Sequence, residues 1–188
     1  MHGRVCAVVF AASVAVAPAA LVAGGQTLLS REQALALAYP GATFAAEQIF
    51  LTDTQVKTAA QRAGQPLPTA LVARYTATLN GVSAGRAYVD THTVRTKRES
   101  VLVSLDAGGR IKRVDVLAFL EPPEYRAPQA FVNQFTGRAL DDDLRLQRAI
   151  RPIAGATLTA DALTNAARRV LAIDGALAAG SPQKTPRR

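Results

Sequence analysis

Two neighbouring hairpin patterns in the middle of the chain constrain its fold more than any other feature. Segments of alternating apolar and polar residues lie at 71–79, 82–90, 100–105 and 111–119. Asn80-Gly81, a pair typical of a type I′ turn, joins the first two segments, and Asp106-Ala107-Gly108-Gly109 joins the last two. Consecutive hairpins of this kind predict a mostly antiparallel sheet.

Helical signals lie on both sides of this region. Ser30 and Thr52 each begin a capping box, which predicts a short helix after each of them, with a strand over 42–51 between the two helices. The last helix carries an apolar stripe of Leu163, Ala166, Ala167, Val170 and Leu171. We therefore predict an α+β fold, in which helices close one face of a bent, mostly antiparallel sheet and the C-terminal helix packs across it.

The predicted organisation of the chain is a signal peptide, one folded unit and a tail. A secretory signal peptide over 1–24 is indicated by Arg4, by an apolar run over 5–16 that Pro18 ends, and by small residues that offer cleavage points at 17–19 or after Ala23. A retained N-terminal anchor is the alternative. We expect a helix–strand–helix segment over 25–70, the main domain over 71–177 and a disordered basic tail over 178–188. The only cysteine, Cys6, falls in the predicted leader, so the mature chain is expected to contain no disulfide.

The chain is strongly basic, with a formal net charge of +8 and a pI of about 10.4. A nucleic-acid partner is not expected, because the chain is predicted to be exported and its arginines are not interleaved with aromatic residues. We interpret the charge as a solvated basic surface that could steer the protein towards an acidic partner or a membrane face.

A candidate phosphate site precedes the last helix, where residues 153–159 read Ile-Ala-Gly-Ala-Thr-Leu-Thr. Gly155 allows a tight turn, and Ala154 and Ala156 keep bulk away from the chain. The N-terminus of a helix offers free N–H groups and the positive end of its dipole to an anion. Thr157 places at this point a hydroxyl that could itself be esterified.

The run Gly155-Ala156-Thr157-Leu158-Thr159 resembles the flavinylation motif of the FMN-binding domain family. The residues that follow it strengthen the resemblance: Ala162, Asn165-Ala166 and Arg168-Arg169. This family includes the C subunit of the sodium-pumping NADH:quinone oxidoreductase and the G subunit of the Rnf complex. The resemblance implies that a flavin transferase joins FMN through its phosphate to Thr157, not to Thr159. The chain departs from the family at Ala154, where Ser or Thr is usual, and at Arg151, where Asp is frequent.

The resemblance extends over roughly 74–171 and brings in a second element. Glu121-Pro122-Pro123 takes the place of a Glu-Thr-Pro-Gly element that lies near the isoalloxazine ring in the family, so Glu121 and Tyr125 are candidate ring contacts. A solvated carboxylate and a half-buried tyrosine are the alternative interpretations. We expect Thr159 to be the N-cap of the helix, and Leu158 completes the predicted FMN-binding set.

Other chemistry finds little support in the sequence. His92 is the only histidine after the predicted leader, and we expect it to be an exposed polar residue of a strand. Residues 141–143, three consecutive aspartates, lack EF-hand spacing and predict a solvated turn or the start of a helix. A hydrolase is disfavoured because no nucleophile–base pair can be assembled.

The function predicted from the sequence is that of a periplasmic electron-transfer flavoprotein with FMN esterified to Thr157. Its expected partners are a flavin transferase and membrane-associated redox proteins, without a membrane span of its own after signal cleavage. The alternative is a non-redox binding or interaction module that keeps the fold but has lost the covalent flavin, which the departures at Ala154 and Arg151 favour.

Overall fold

The computed structural model describes residues 28–180, which form four α-helices, two short 3-10 helices and a five-stranded sheet. The helices are α1 (Arg31–Ala38), α2 (Asp53–Ala63), α3 (Gln129–Val132) and α4 (Thr157–Gly180), and the 3-10 helices are Pro123–Tyr125 and Asn133–Phe135. The strands are β1 (Thr43–Phe50), β2 (Leu71–Leu79), β3 (Val82–Thr93), β4 (Arg98–Leu105) and β5 (Ile111–Phe119). The predicted α+β fold is confirmed.

All neighbouring strands pair antiparallel, in the order β1-β2-β3-β4-β5. Asn80 and Gly81 form the turn between β2 and β3 with φ values of 51° and 79°, as a type I′ turn requires. The sheet has one break in register between β2 and β3, beside Gly85. A Cβ at Gly85 would lie 2.1 Å from the Leu105 carbonyl oxygen, so only glycine fits there.

Helices lie on both faces of the sheet, so the prediction that they close only one face was wrong. α2 and α4 cover one face and enclose the larger core, which includes Tyr88, Val103 and Phe135. α1 covers part of the other face, where Tyr39 and Leu102 belong to a separate smaller core. Both predicted capping boxes are present, at Ser30 for α1 and at Thr52 for α2. The first helix begins where predicted, but the sequence did not indicate which face it covers.

Buried ion pairs join α4 to the sheet beside its predicted apolar stripe. Asp174 accepts hydrogen bonds from Arg86 and, at 2.8 Å, from the Tyr88 hydroxyl. Arg169 donates to both carboxylate oxygens of Asp90, at 2.9 and 2.7 Å. All five stripe residues are buried as predicted. A buried charge that loses its partner is strongly destabilising, so these pairs limit how α4 can lie on the sheet.

Three predicted boundaries need correction. β3 continues to Thr93 and β4 already begins at Arg98, so their hairpin is longer than predicted and ends in a tight loop. The helix predicted at 128–135 is an α-helical turn followed by a 3-10 turn, and its Phe131 and Phe135 pack edge-to-face in the core as expected. α4 remains helical to Gly180, which contradicts a tail that is disordered from residue 178.

Within residues 28–180, no helix combines the length and the apolar character needed to cross a membrane. The predicted signal peptide, Cys6 and the tail beyond residue 180 lie outside the described residues.

Candidate functional site

The N-terminus of α4 is open where the sequence predicts a phosphate site. Gly155 turns the chain with φ at +77°, and a Cβ added there would meet nothing within 4 Å. Ala156 then takes the N-cap position, where its carbonyl oxygen accepts from the Ala160 N–H at 3.1 Å. Alanine has no side-chain acceptor for the first N–H groups of the helix, whereas Ser, Thr, Asp and Asn provide one. These groups are therefore available to an external anion.

Thr157 and Thr159 have different environments although both lie in the first turn of α4. The side chain of Thr157 is exposed, and its hydroxyl has no hydrogen-bond partner among residues 28–180. Thr159 is buried, and its hydroxyl donates a 2.7 Å hydrogen bond to the carbonyl oxygen of Tyr125. The prediction that Thr159 caps the helix was wrong, because the helix begins two residues before it. Of the two hydroxyls, only that of Thr157 is free to react.

Glu121 organises the opposite wall of the site. One carboxylate oxygen, Oε1, accepts from the backbone N–H groups of Arg95, Thr96 and Lys97 at 3.1, 2.6 and 2.7 Å. These hydrogen bonds, led by the one from Thr96, hold the pKa of Glu121 below its usual range. Glu121 is buried and not a solvated loop carboxylate, so this alternative interpretation was wrong. Its visible role is to fix the loop between β3 and β4.

Tyr125 connects the two walls. It ends the 3-10 helix Pro123–Tyr125, its carbonyl oxygen accepts from the Thr159 hydroxyl, and the residue is 40% exposed and lines the cavity. Pro122 and Pro123 keep the segment out of regular strand and helix, so the tyrosine lies across from the start of α4. Tyr125 is exposed, so the alternative interpretation of a half-buried tyrosine was wrong.

A cavity of about 290 Å³ lies between these walls, and all seven predicted FMN-binding residues line it. They are Glu121, Tyr125, Gly155, Ala156, Thr157, Leu158 and Thr159. Val94 and Arg95 complete the lining and were missed by the sequence analysis. The volume lies at the lower end of the roughly 300–1,000 Å³ range of small-molecule sites, so a larger ligand held here stays partly exposed.

Arg95 supplies the only cationic side chain among the residues that line the cavity. Together with the positive end of the α4 dipole, it makes one side of the site favourable for an anion. The available signal was the basic run at 95–98 in the loop between two strands. These cations were expected to belong to a general basic surface, because nothing in the sequence places the loop near the start of α4.

The segment before the motif is also held in place. The side chain of Gln134 donates to the Arg151 carbonyl oxygen at 3.2 Å and accepts from the Arg151 N–H at 2.8 Å. Only the backbone of Arg151 takes part, and both its side chain and Ala154 are exposed. The two departures from the family motif therefore leave the turn at Gly155 intact.

The side chain of His92 is only 7% exposed, so the expectation of an exposed residue was wrong. Its ring nitrogens hydrogen-bond with Asp90 at 2.8 Å and with Glu99 at 3.0 Å. Burial alone would lower the pKa of His92, but these bonds to two carboxylates raise it above the ordinary value. The second oxygen of Glu99 is buried without a hydrogen-bond partner in the described part of the chain. This cluster lies on β3 and β4 and does not line the cavity.

The described residues hold no group of three or more His, Cys, Asp or Glu side chains that could bind a metal ion. The aspartates at 141–143 are exposed, and the carboxylate of Asp141 accepts from the N–H groups of Asp143 and Leu144, at 3.0 and 2.8 Å. As the sequence predicted, this segment is a solvated turn.

The family model of the FMN-binding domain matches residues 97–172 and supports the assignment of this segment to that family. The match covers β4, β5, both 3-10 helices and most of α4, and it includes all seven predicted site residues. It supports FMN as the cofactor and electron transfer as the type of function. No match to the chain is found among curated proteins or among solved structures.

Proposed function

We propose that the protein is an electron carrier outside the cytoplasm that holds one FMN covalently, as a phosphoester of the Thr157 hydroxyl. The observation that carries this proposal is the contrast between the two threonines of the motif. Thr157 lines the cavity, is exposed and has a hydroxyl without a hydrogen-bond partner among residues 28–180, whereas Thr159 is buried and its hydroxyl donates to Tyr125. An attaching enzyme can reach only the first of them.

The residues present fit a flavin nucleotide. The N–H groups at the start of α4 and the open space over Gly155 suit a phosphate, which the helix dipole and Arg95 stabilise. Tyr125 and Leu158 offer apolar surface to an aromatic ring. When bound, FMN supplies one- and two-electron redox chemistry that the side chains cannot provide.

The chain's own residues then bind, orient and partly shield the cofactor. The ester bond to Thr157 keeps the cofactor on the protein, because a covalently bound cofactor cannot dissociate and be lost by dilution. Glu121 fixes the loop that carries Val94 and Arg95, and Thr159 holds the wall that carries Tyr125. No nucleophile–base pair lines the cavity, so we propose a carrier and not a stand-alone enzyme.

The proposed setting follows from the N-terminal sequence and the family resemblance. We propose that residues 1–24 direct export to the periplasm and are removed, that a flavin transferase modifies the exported chain, and that membrane-associated redox proteins donate and accept electrons. Expression of the full chain followed by fractionation tests the location. Recovery of the protein in the cytoplasm, with the leader attached, contradicts it.

The decisive experiment is co-expression of the mature chain with a flavin transferase, followed by denaturation and electrophoresis. We expect yellow fluorescence to stay with the polypeptide, and the intact mass to exceed that of the chain by one FMN minus one water. Thr157→Ala should abolish both signals, and Thr159→Ala should retain them. Fluorescence in both variants means that the acceptor is wrong.

A colourless wild-type chain with a working transferase contradicts the proposal as a whole. It favours the alternative function, a non-redox binding or interaction module. The specific observation for this alternative is that Ala154 and Arg151, the two departures from the family motif, are exposed.

A further inference from the structure

An exposed basic loop lies at the rim of the cavity. We call residues 95–98 (Arg95, Thr96, Lys97 and Arg98) the basic loop; it connects β3 to the start of β4. All four residues are exposed. The three cationic side chains form no hydrogen bond or ion pair with any other residue in the part of the chain that the structure describes. Their charges are therefore available to a partner.

The backbone of the basic loop is fixed although its side chains are free. Val94 donates to the Lys97 carbonyl oxygen at 3.0 Å, and Glu121 accepts from three consecutive N–H groups of the loop. The Glu121 carboxylate is buried and does not pair with the cationic side chains. A fixed backbone lowers the entropy lost on binding, so these cations are presented in a defined arrangement.

Exposed apolar side chains lie next to the basic loop. Leu120 is 59% exposed, and its N–H donates to the Arg98 carbonyl oxygen at 3.0 Å. Leu158, 54% exposed, and Tyr125 line the cavity itself. Apolar surface beside a charged rim is the composition of a protein–protein interface, in which charge sets the rate and direction of approach.

We infer that the face formed by the basic loop and the exposed Leu120, at the rim of the cavity, docks an acidic redox protein. This inference rests on the proposed function, because a partner on this face reaches the cavity where the cofactor would lie. A membrane fits the face less well. Glu124 and Asp161 are exposed carboxylates on the elements that form the cavity walls, and an anionic lipid surface would repel them. A protein surface can place cations opposite them and acids opposite the basic loop.

The test uses plant-type ferredoxin, a small acidic one-electron donor of low potential, as the probe. Stopped-flow absorbance follows the oxidation of reduced ferredoxin by the flavin-loaded protein over a range of ionic strengths. Steered association accelerates encounter by 10-fold or more and is screened by salt. We expect the wild-type rate constant to fall roughly 10-fold between low salt and physiological salt.

The key variant is Lys97→Gln/Arg98→Gln, which removes two charges of the basic loop and keeps Arg95, the cation that lines the cavity. Its matched control is Lys57→Gln/Arg145→Gln, which removes two exposed cations that do not line it. At low salt, the loop variant should react several-fold more slowly than wild type and depend little on salt. The control should behave like wild type. The flavin potential and the thermal unfolding of both variants are also measured. If they equal the wild-type values, a difference in rate constant arises from docking.

A binding measurement without flavin separates this inference from the proposed function. Thr157→Ala, which carries no cofactor under the proposal, should still bind ferredoxin at low salt, and the added loop substitutions should abolish that binding. Equal rates and salt dependences in the loop and control variants overturn the inference. So does binding to vesicles containing phosphatidylserine without binding to ferredoxin, since a membrane is then the occupant. Failure of flavin attachment alone overturns only the proposed function.

Discussion

The hydroxyl of Thr159 joins the two walls of the cavity and can be removed with little change in side-chain size. Thr159→Val takes away the 2.7 Å hydrogen bond to the Tyr125 carbonyl oxygen and leaves a methyl group in the buried position. A neutral hydrogen bond of this kind contributes about 1 kcal/mol, and an acceptor left without a partner costs up to about 3 kcal/mol. Tyr125 is partly exposed, so water can reach the orphaned carbonyl and the cost stays near the lower value.

We therefore expect Thr159→Val to lower the free energy of unfolding by about 1–2 kcal/mol. For a chain of this size, the loss corresponds to a fall in Tm of roughly 2–8 °C. Denaturant unfolding followed by circular dichroism measures the free energy, and in-gel fluorescence after co-expression with the transferase measures flavin attachment. Attachment should persist, because the Thr157 hydroxyl is untouched.

The matched control is Thr157→Val, which makes the same chemical change two residues earlier. Thr157 is exposed and its hydroxyl makes no hydrogen bond with a described residue, so unfolding should change by less than about 0.5 kcal/mol. Flavin attachment should disappear. If Thr159→Val is as stable as wild type, or if Thr157→Val remains fluorescent, the division of roles between the two hydroxyls is refuted.

Three further predictions concern the loop, the turn and the buried histidine. Glu121→Ala should increase tryptic cleavage and amide exchange in the basic loop, because three N–H groups of the loop lose their acceptor. The control Glu124→Ala removes an exposed carboxylate and should leave both unchanged. Equal cleavage in the two variants contradicts the role of Glu121 in fixing the loop. At Gly155 and Gly137 an added Cβ has no neighbour within 4 Å and φ is nearly the same, so Gly155→Ala and Gly137→Ala should each lower the free energy of unfolding by about 1 kcal/mol. Only Gly155→Ala should reduce flavin attachment. The raised pKa of His92 adds stability that is fully present below the ordinary value of 6.5 and is lost as the pH rises through the folded-state value. The free energy of unfolding of His92→Gln, measured from pH 5.5 to 9, should not show this loss. A pH profile equal to that of wild type contradicts a raised pKa of His92.

Local signals were sufficient for much of the fold. Both capping boxes, the Asn80-Gly81 turn and the bounds of β2 and β5 agree with the sequence analysis, because caps, turns and period-two alternation act between residues that are close in the chain. The small-residue turn before α4 is equally local. The start of the helix was not predicted, however: the N-cap was expected at Thr159, whereas Ala156 takes this position and offers no side-chain acceptor to the first N–H groups.

The interior electrostatics depended on contacts between distant parts of the chain. From the sequence, His92 was expected on the surface of a strand, Asp90 and Glu99 were given no role, and Arg169 entered only through the family resemblance. Pairing of β3 with β4 brings the first three together, and α4 adds the arginine 79 residues from Asp90. Burial then makes this pairing necessary, since a charge removed from water is tolerated only with a partner.

The sequence by itself determined the elements, their turns and the motif that carries the candidate acceptor, because each depends on neighbours within a few residues. Only the tertiary structure decided that Glu121 fixes the basic loop, that Arg95 and Thr157 line one cavity, and that the Thr159 hydroxyl donates to the Tyr125 carbonyl oxygen. The physical reason is that exposure and hydrogen-bond satisfaction are properties of the packed chain. Two threonines in one helical turn differ in reactivity because a distant carbonyl lies within reach of only one of them.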